Sequence, residues 1–118
     1  MLFRSGHVRY TLTGDALYLP PKFAVSLTLV LHELATNAAK YGSLSAADGR
    51  VEITWSRTAD GRLNLRWIES GGPAVTPPTH RGFGTRVIEN IIAGQLKGEV
   101  RFDWRNQGLV CEIVLPLV

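Results

Sequence analysis

His32-Glu33-Leu34-Ala35-Thr36-Asn37-Ala38-Ala39-Lys40-Tyr41-Gly42 is the stretch on which the reading of this chain turns. At about 100° per residue it forms the second half of one long amphipathic helix, expected over Lys22 to Tyr41. Phe23, Leu27, Val30, Leu31, Leu34 and Ala38 fall on one broad apolar face. Glu33, Asn37 and Lys40 recur at i, i+4 and i+7, which makes them a second, polar stripe beside it. A carboxylate, an amide and an ammonium along one edge of a packed helix are the makings of a binding site. Gly42 stands where a glycine just past the last periodic residue stops a helix.

Outward from the helix, the pattern is that of strands. On the N-terminal side His7 to Leu12 alternates polar and apolar, as a half-buried strand does. Thr13-Gly14-Asp15 has turn chemistry, and Ala16 to Leu19 is expected to pair back as a short second strand. Pro20-Pro21 then breaks the ladder, and a proline near the first helical position is well tolerated. On the C-terminal side Ser43 to Arg50 reads as a loop. Val51 to Trp55 and Leu63 to Trp67 alternate cleanly around the hairpin signal Ala59-Asp60-Gly61, with Trp55 and Trp67 on the core-facing set.

From Ser70 to Gly84 the texture changes to three prolines, four glycines and little periodicity, and a long loop of this kind in a small domain is commonly functional. A second helix follows, with Val87, Ile88, Ile91 and Ile92 on one stripe and Gly94 and Gly98 bracketing its end. Val100 to Trp104 and Leu109 to Leu115 close the chain as a hairpin around Asn106-Gln107-Gly108. The order strands, helix, strands, loop, helix, strands predicts an α+β fold. It is a two-layer α/β sandwich, with helices on one face of a mixed, mostly antiparallel sheet.

Composition narrows the function classes. With 118 residues the chain makes one domain, able to bury roughly two-thirds of its unfolded surface without metal or disulfide staples. The single cysteine, Cys111, excludes a disulfide framework and a cysteine-rich zinc site, lies in an apolar strand, and suits a reducing, cytoplasmic setting. The net charge of +3 comes from dispersed residues, so no nucleic-acid surface is expected. There is no signal peptide core and no apolar span of ~20 residues, so no direct membrane insertion is expected. Met1 opens almost directly into strand-like sequence, as in a piece of a longer protein. His7 and His80 form no metal-ligand spacing with another histidine, which speaks against zinc.

Three pieces lie at element ends and could carry chemistry: Glu33/Asn37/Lys40, Trp67 to Pro73, and Gly82-Phe83-Gly84-Thr85. Glycines let backbone N–H groups approach an anion, and a helix N-terminus favours negative charge there. The last piece is neither a Walker loop nor a full dinucleotide fingerprint. An amide oxygen ligates a hard cation, a lysine meets a phosphate, and a carboxylate polarises a nucleophile. Together they read as a magnesium–nucleotide site.

On these residues the sequence resembles a known family. His32 to Gly42 is similar to the N box of the GHKL ATPase/kinase superfamily, and specifically resembles the HWE group of bacterial sensor histidine kinases. That group is named for a histidine in this box, here His32, and for a W-x-E motif, here Trp67-Ile68-Glu69. Gly82-Phe83-Gly84-Thr85 matches the second glycine box, and the similarity covers essentially the whole chain (residues 1–118) in the same order.

The resemblance implies a Bergerat ATP-binding fold with ATP and Mg²⁺ as cofactors. It would make Asn37 the magnesium ligand, Glu33 the general base or the group orienting the nucleophile, Lys40 a phosphate neighbour and Tyr41 a wall of the nucleotide site. Glu69 would stand where most of the superfamily has an aspartate accepting from the adenine amine, and the extra methylene changes its reach. Gly71 keeps the first glycine of that box. Pro73 stands in place of its second glycine and, lacking an N–H, is left out of the site. Gly82, Gly84 and Thr85 would lie along the phosphates, with an ATP lid over about 72–81. His32 lies nearly opposite the core face and is read as a family marker. The phosphoacceptor histidine would come from an upstream dimerisation helix that this chain lacks.

The implied partners are that histidine-bearing dimerisation domain and a response regulator, in a full-length homodimer. A GHKL-type ATP-gated conformational ATPase, or a catalytically silent nucleotide-binding regulatory domain, stands as the alternative.

Overall fold

The computed structural model describes residues 9–73 and 83–117. Its longest element is the helix α1 (Pro21–Lys40), which buries Phe23, Leu27, Val30, Leu34 and Ala38. Pro21 opens it, and the carbonyl of Pro20 accepts from the N–H groups of Phe23 and Ala24 at 2.9 and 3.1 Å. The helix ends as expected at Tyr41, whose N–H donates to the Asn37 carbonyl at 2.8 Å. The reason for Gly42 differs from the expected one. Its φ is −112°, so no left-handed stop is made. A Cβ there would lie 2.3 Å from Glu69 Oε1, and close approach is what demands glycine.

Five strands form one sheet in the order β1-β2-β3-β5-β4: β1 (Tyr10–Thr13), β2 (Arg50–Arg57), β3 (Arg62–Ser70), β4 (Glu99–Arg105) and β5 (Gly108–Pro116). The β1–β2 pair is parallel and the other three are antiparallel, which is the mixed, mostly antiparallel sheet expected. Alternation puts Val51 and Ile53, Leu63, Leu65 and Trp67, and Cys111, Ile113 and Leu115 into the core shared with α1. The opposite face carries charge, with Arg101 Nη2 on Glu112 Oε1 at 2.8 Å. Trp67 is fully buried, whereas Trp55 and Trp104 pack at the margin of the core.

One expected strand does not form. Residues 16–19 make no ladder, and β1 pairs with β2 instead, Tyr10 opposite Val51. Gly14 lies against the Trp55 ring, where a Cβ would come within 2.3 Å, and the Trp55 indole N–H donates to the Asp15 carbonyl at 2.7 Å. The segment is thereby held over Trp55, and Leu17 and Leu19 pack against the core. Turn chemistry at Thr13-Gly14-Asp15 serves that crossing, not a hairpin.

The second helix begins as α2 (Phe83–Glu89) and continues as a π-helical segment, Asn90–Gln95. On an α-helix Ile91 and Leu96 would lie about 140° apart. Winding with i→i+5 bonds, such as Leu96 N–H to the Ile91 carbonyl at 3.0 Å, brings them onto one side, and Ile91, Ile92 and Leu96 are all buried. The expected apolar stripe is present, on a wider turn. Lys97, at φ 57°, then redirects the chain into β4.

Candidate functional site

The polar stripe of α1 lies beside its buried side. Glu33 and Asn37 are half-buried next to fully buried Leu34 and Ala38, while Lys40 is exposed and Tyr41 keeps 73% of its surface. The direction of the second helix follows from one contact. Ser26 Oγ, near the start of α1, is 3.3 Å from Gln95 Oε1 at the end of the π-helical segment. Since α2 also packs on α1, its path back from that contact leads along α1 toward the C-terminal half of the helix. Gly84 belongs to the first turn of α2 and Thr85, half-buried, follows it. Gly82 and residues 74–81 of the expected lid lie outside the described residues.

The third part of the site is bonded directly to α1's end. Glu69, on the same face of β3 as Trp67, is only 3% exposed. Its Oε1 accepts from the Ser43 backbone N–H at 3.0 Å and its Oε2 from the Trp67 indole N–H at 3.0 Å. An ionised carboxylate oxygen has two lone pairs, so each retains one for a further donor. The Ser43 hydroxyl, fully buried, has no hydrogen-bond partner among the described residues. Tyr10 meets the Trp67 ring edge-on at 6.3 Å between centroids. Burial pushes its hydroxyl pKa up, Arg9 opposes this, and the Glu69 charge adds to it.

The loop that follows α1, with a 3₁₀ turn at Ser43–Ser45, is packed so tightly that glycines are required around it. Cβ atoms at Gly49 and Gly72 would collide with the Ser43 backbone, and one at Gly71 would lie 2.4 Å from the Asp48 carbonyl oxygen. Gly71 also sits at φ 75°, the left-handed region that favours glycine. Arg9 clamps the loop from β1's side. Its Nε donates to the Gly49 carbonyl at 3.2 Å, and its Nη2 to the carbonyls of Leu44 at 3.2 Å and Ala46 at 2.6 Å.

The α1 residues Glu33, Asn37, Lys40 and Tyr41 thus lead through Gly42 and Ser43 to Glu69 and Gly71, while Gly84 and Thr85 open the helix that packs on α1. Sequence reasoning missed Ser43 and Arg9, and it read Trp67 as a core residue and part of the W-x-E motif without foreseeing its bond to Glu69. The surviving signal for the loop was its glycines, at 42, 49, 71 and 72.

No group of three or more His, Cys, Asp or Glu among the described residues could hold a metal ion by itself. A cation here would take the Asn37 amide oxygen together with oxygens of a ligand. Magnesium suits that donor set, since it prefers hard oxygens and commonly shares substrate phosphates. A buried carboxylate with free lone pairs, beside an unpartnered hydroxyl, equally suits a heterocycle bearing N–H donors.

No family model matches the chain. Among curated proteins it is 46% identical over 112 residues to blue-light-activated histidine kinase 1 of Erythrobacter litoralis, covering 92% of this chain and 31% of that protein. It is 40% identical over 115 residues to the blue-light-activated histidine kinase of Brucella anthropi, covering 95% and 23%. The chain therefore spans less than a third of the length of these relatives. A solved blue-light-activated histidine kinase of Erythrobacter litoralis shares the fold at a TM-score of 0.79 and 21% identity, over 92% of this chain and 35% of that one. The mycobacterial sensor histidine kinase MprB does so at 0.69 and 18%, over 92% and 82%. The chain is thus similar through more than nine-tenths of its residues to one part of the blue-light-activated histidine kinases, and it shares its sheet and helix layer with solved histidine kinases.

Proposed function

We propose that this domain binds Mg-ATP and transfers the γ-phosphoryl group to a histidine on a separate dimerisation domain, from which a response regulator takes it. The observation that supports this most is the Glu69–Ser43 bond, which joins a buried acceptor on β3 to the end of the Glu33/Asn37/Lys40 stripe. Adenine would lie at Glu69 and Gly71 with its 6-amino group donating to the carboxylate, and Tyr41 would wall it from solvent. The phosphates would extend along α1 toward Gly82, Gly84 and Thr85, with Lys40 at their flank.

Asn37 would hold Mg²⁺ through its amide oxygen. The ion, when bound, neutralises phosphate charge in the transition state. Glu33, one turn earlier on the same stripe, would orient the incoming imidazole and take its proton as the nitrogen–phosphorus bond forms and ADP departs. Such transfer depends on positioning and charge more than on covalent help from the protein, which fits a site of one amide, one carboxylate and one lysine.

A cytoplasmic location and a homodimeric full-length protein go with this reading. No helix among the described residues is long and apolar enough to cross a membrane.

Reconstitution tests it. Labelled ATP should leave no phosphate on this chain alone and should label an added histidine-bearing dimerisation domain of an HWE kinase. Rapid ATP turnover by the isolated chain, with no transfer to that domain, would instead favour the conformational ATPase.

A further inference from the structure

The W-x-E residues form one bonded unit in the structure. Trp67 and Glu69 are two apart on β3, so their side chains leave the same face, and both are almost wholly buried. The indole N–H donates to Glu69 Oε2 at 3.0 Å, and the Ser43 N–H holds Oε1 at the same distance. Among the described residues these two N–H groups are what fixes the carboxylate. Each oxygen therefore has one lone pair committed and one lone pair aimed by that commitment.

From this we infer that Trp67 is a positioning residue of the nucleotide site. Its indole N–H turns the Glu69 carboxylate so that the remaining lone pairs meet a purine bearing an exocyclic amine and reject one bearing a 6-oxo group. The inference rests on the reading that adenine lies at Glu69. It also accounts for the glutamate. An aspartate, shorter by about 1.5 Å, cannot span from the Ser43 N–H to the Trp67 indole while rooted at the same Cα. A carboxylate presents only acceptors, so a 6-oxo group brought to it would leave two acceptors facing each other in a buried site.

The test compares ADP with inosine diphosphate, which carries the 6-oxo group, by calorimetric titration in Mg²⁺. The proteins are the wild type, Trp67→Phe and Glu69→Asp, with thermal unfolding measured in parallel. Wild type is expected to prefer ADP by about 100-fold or more. Trp67→Phe keeps an aromatic ring and loses the donor, and it should compress that preference by about tenfold.

If Trp67→Phe lowers the unfolding temperature but leaves the ADP-to-inosine ratio unchanged, Trp67 only fills the core and the inference is wrong. Should that variant fail to fold, Glu69→Asp decides. Its ratio should fall and the Trp67 indole N–H resonance should move; an unchanged ratio with an unmoved resonance overturns the inference. A wild type that does not discriminate at all overturns the adenine reading, and this inference with it.

Discussion

Gly42→Ala is the substitution whose outcome the structure fixes most tightly. The backbone there has negative φ, so alanine meets no conformational barrier, and by loss of unfolded-state freedom it should stabilise by about 0.4–1 kcal/mol. Against this, the new Cβ would lie 2.3 Å from Glu69 Oε1. Ordinary contact begins near 3.4 Å, so the oxygen must retreat by about 1 Å. A surface glutamate would simply swing aside. Glu69 is buried and bonded at both oxygens, and retreat stretches its bond to the Ser43 N–H beyond hydrogen-bonding range. Losing a bond to a charged group and stranding a buried N–H costs about 1.5–3 kcal/mol. The net expectation is a loss of about 0.5–2.5 kcal/mol, or roughly 2–10 °C in unfolding temperature for a domain of this size. Urea unfolding followed by circular dichroism measures it, with Gly94→Ala as the control. At Gly94 an added Cβ meets nothing, so that variant should gain about 0.5–1 kcal/mol. A Gly42→Ala protein as stable as wild type would refute the pinned-carboxylate account.

Two further expectations concern the surroundings of the site. Arg9→Lys replaces a guanidinium bonded to three carbonyls by one ammonium that cannot span them, so the Ser43–Gly49 loop should loosen. A loss of about 1–2 kcal/mol in urea unfolding is expected, and no change would show that the clamp is idle. Cys111 is the other. Burial, with the charges of Glu69 and Glu112, pushes its thiol from 9.0 up to about 12. The folded thiol stays neutral where the unfolded one ionises. The stability this contributes is whole below pH 9.0 and is lost as pH rises toward 12. The slope is about 1.4 kcal/mol per pH unit, and the raised Tyr10 acts in the same direction. Urea midpoints should therefore fall above pH 9, and iodoacetamide at pH 8 should leave the folded thiol unmodified; prompt alkylation would contradict the burial.

Local periodicity made the framework legible. The alternation of Val51 to Trp55, Leu63 to Trp67 and Leu109 to Leu115, and the apolar face of α1, depend on neighbours a few residues away, and the structure follows them. The polar stripe was legible for the same reason, since i, i+4 and i+7 share a helix edge wherever the helix lies. Contacts between distant segments were not. Gly14 carries ordinary turn chemistry, and the Trp55 ring packed against it is what holds the segment after β1 where a hairpin was expected. Gly42 reads as a helix stop, yet its need for glycine is set by Glu69, 27 positions on. Glu69 itself was placed by resemblance as an acceptor for ligand, and its engagement by Trp67 and Ser43 belongs to the packing of β3 against the end of α1. The π-helical turn is of the same kind. Ile91, Ile92 and Leu96 show apolar character in sequence, while the wider winding that buries all three answers to the sheet beneath them.

The central claim is that the α1 stripe is one wall of a magnesium–nucleotide site, and Asn37 is its most exacting residue. Alanine is the better helix former at that half-buried position, so Asn37→Ala should fold as well as the wild type. Calorimetric titration with ADP, with and without Mg²⁺, tests the claim most directly. Wild type should bind ADP tightly only when Mg²⁺ is present, and Asn37→Ala should bind more than about tenfold more weakly. Equal affinity in the two proteins, or binding in the wild type that is indifferent to Mg²⁺, would contradict the account.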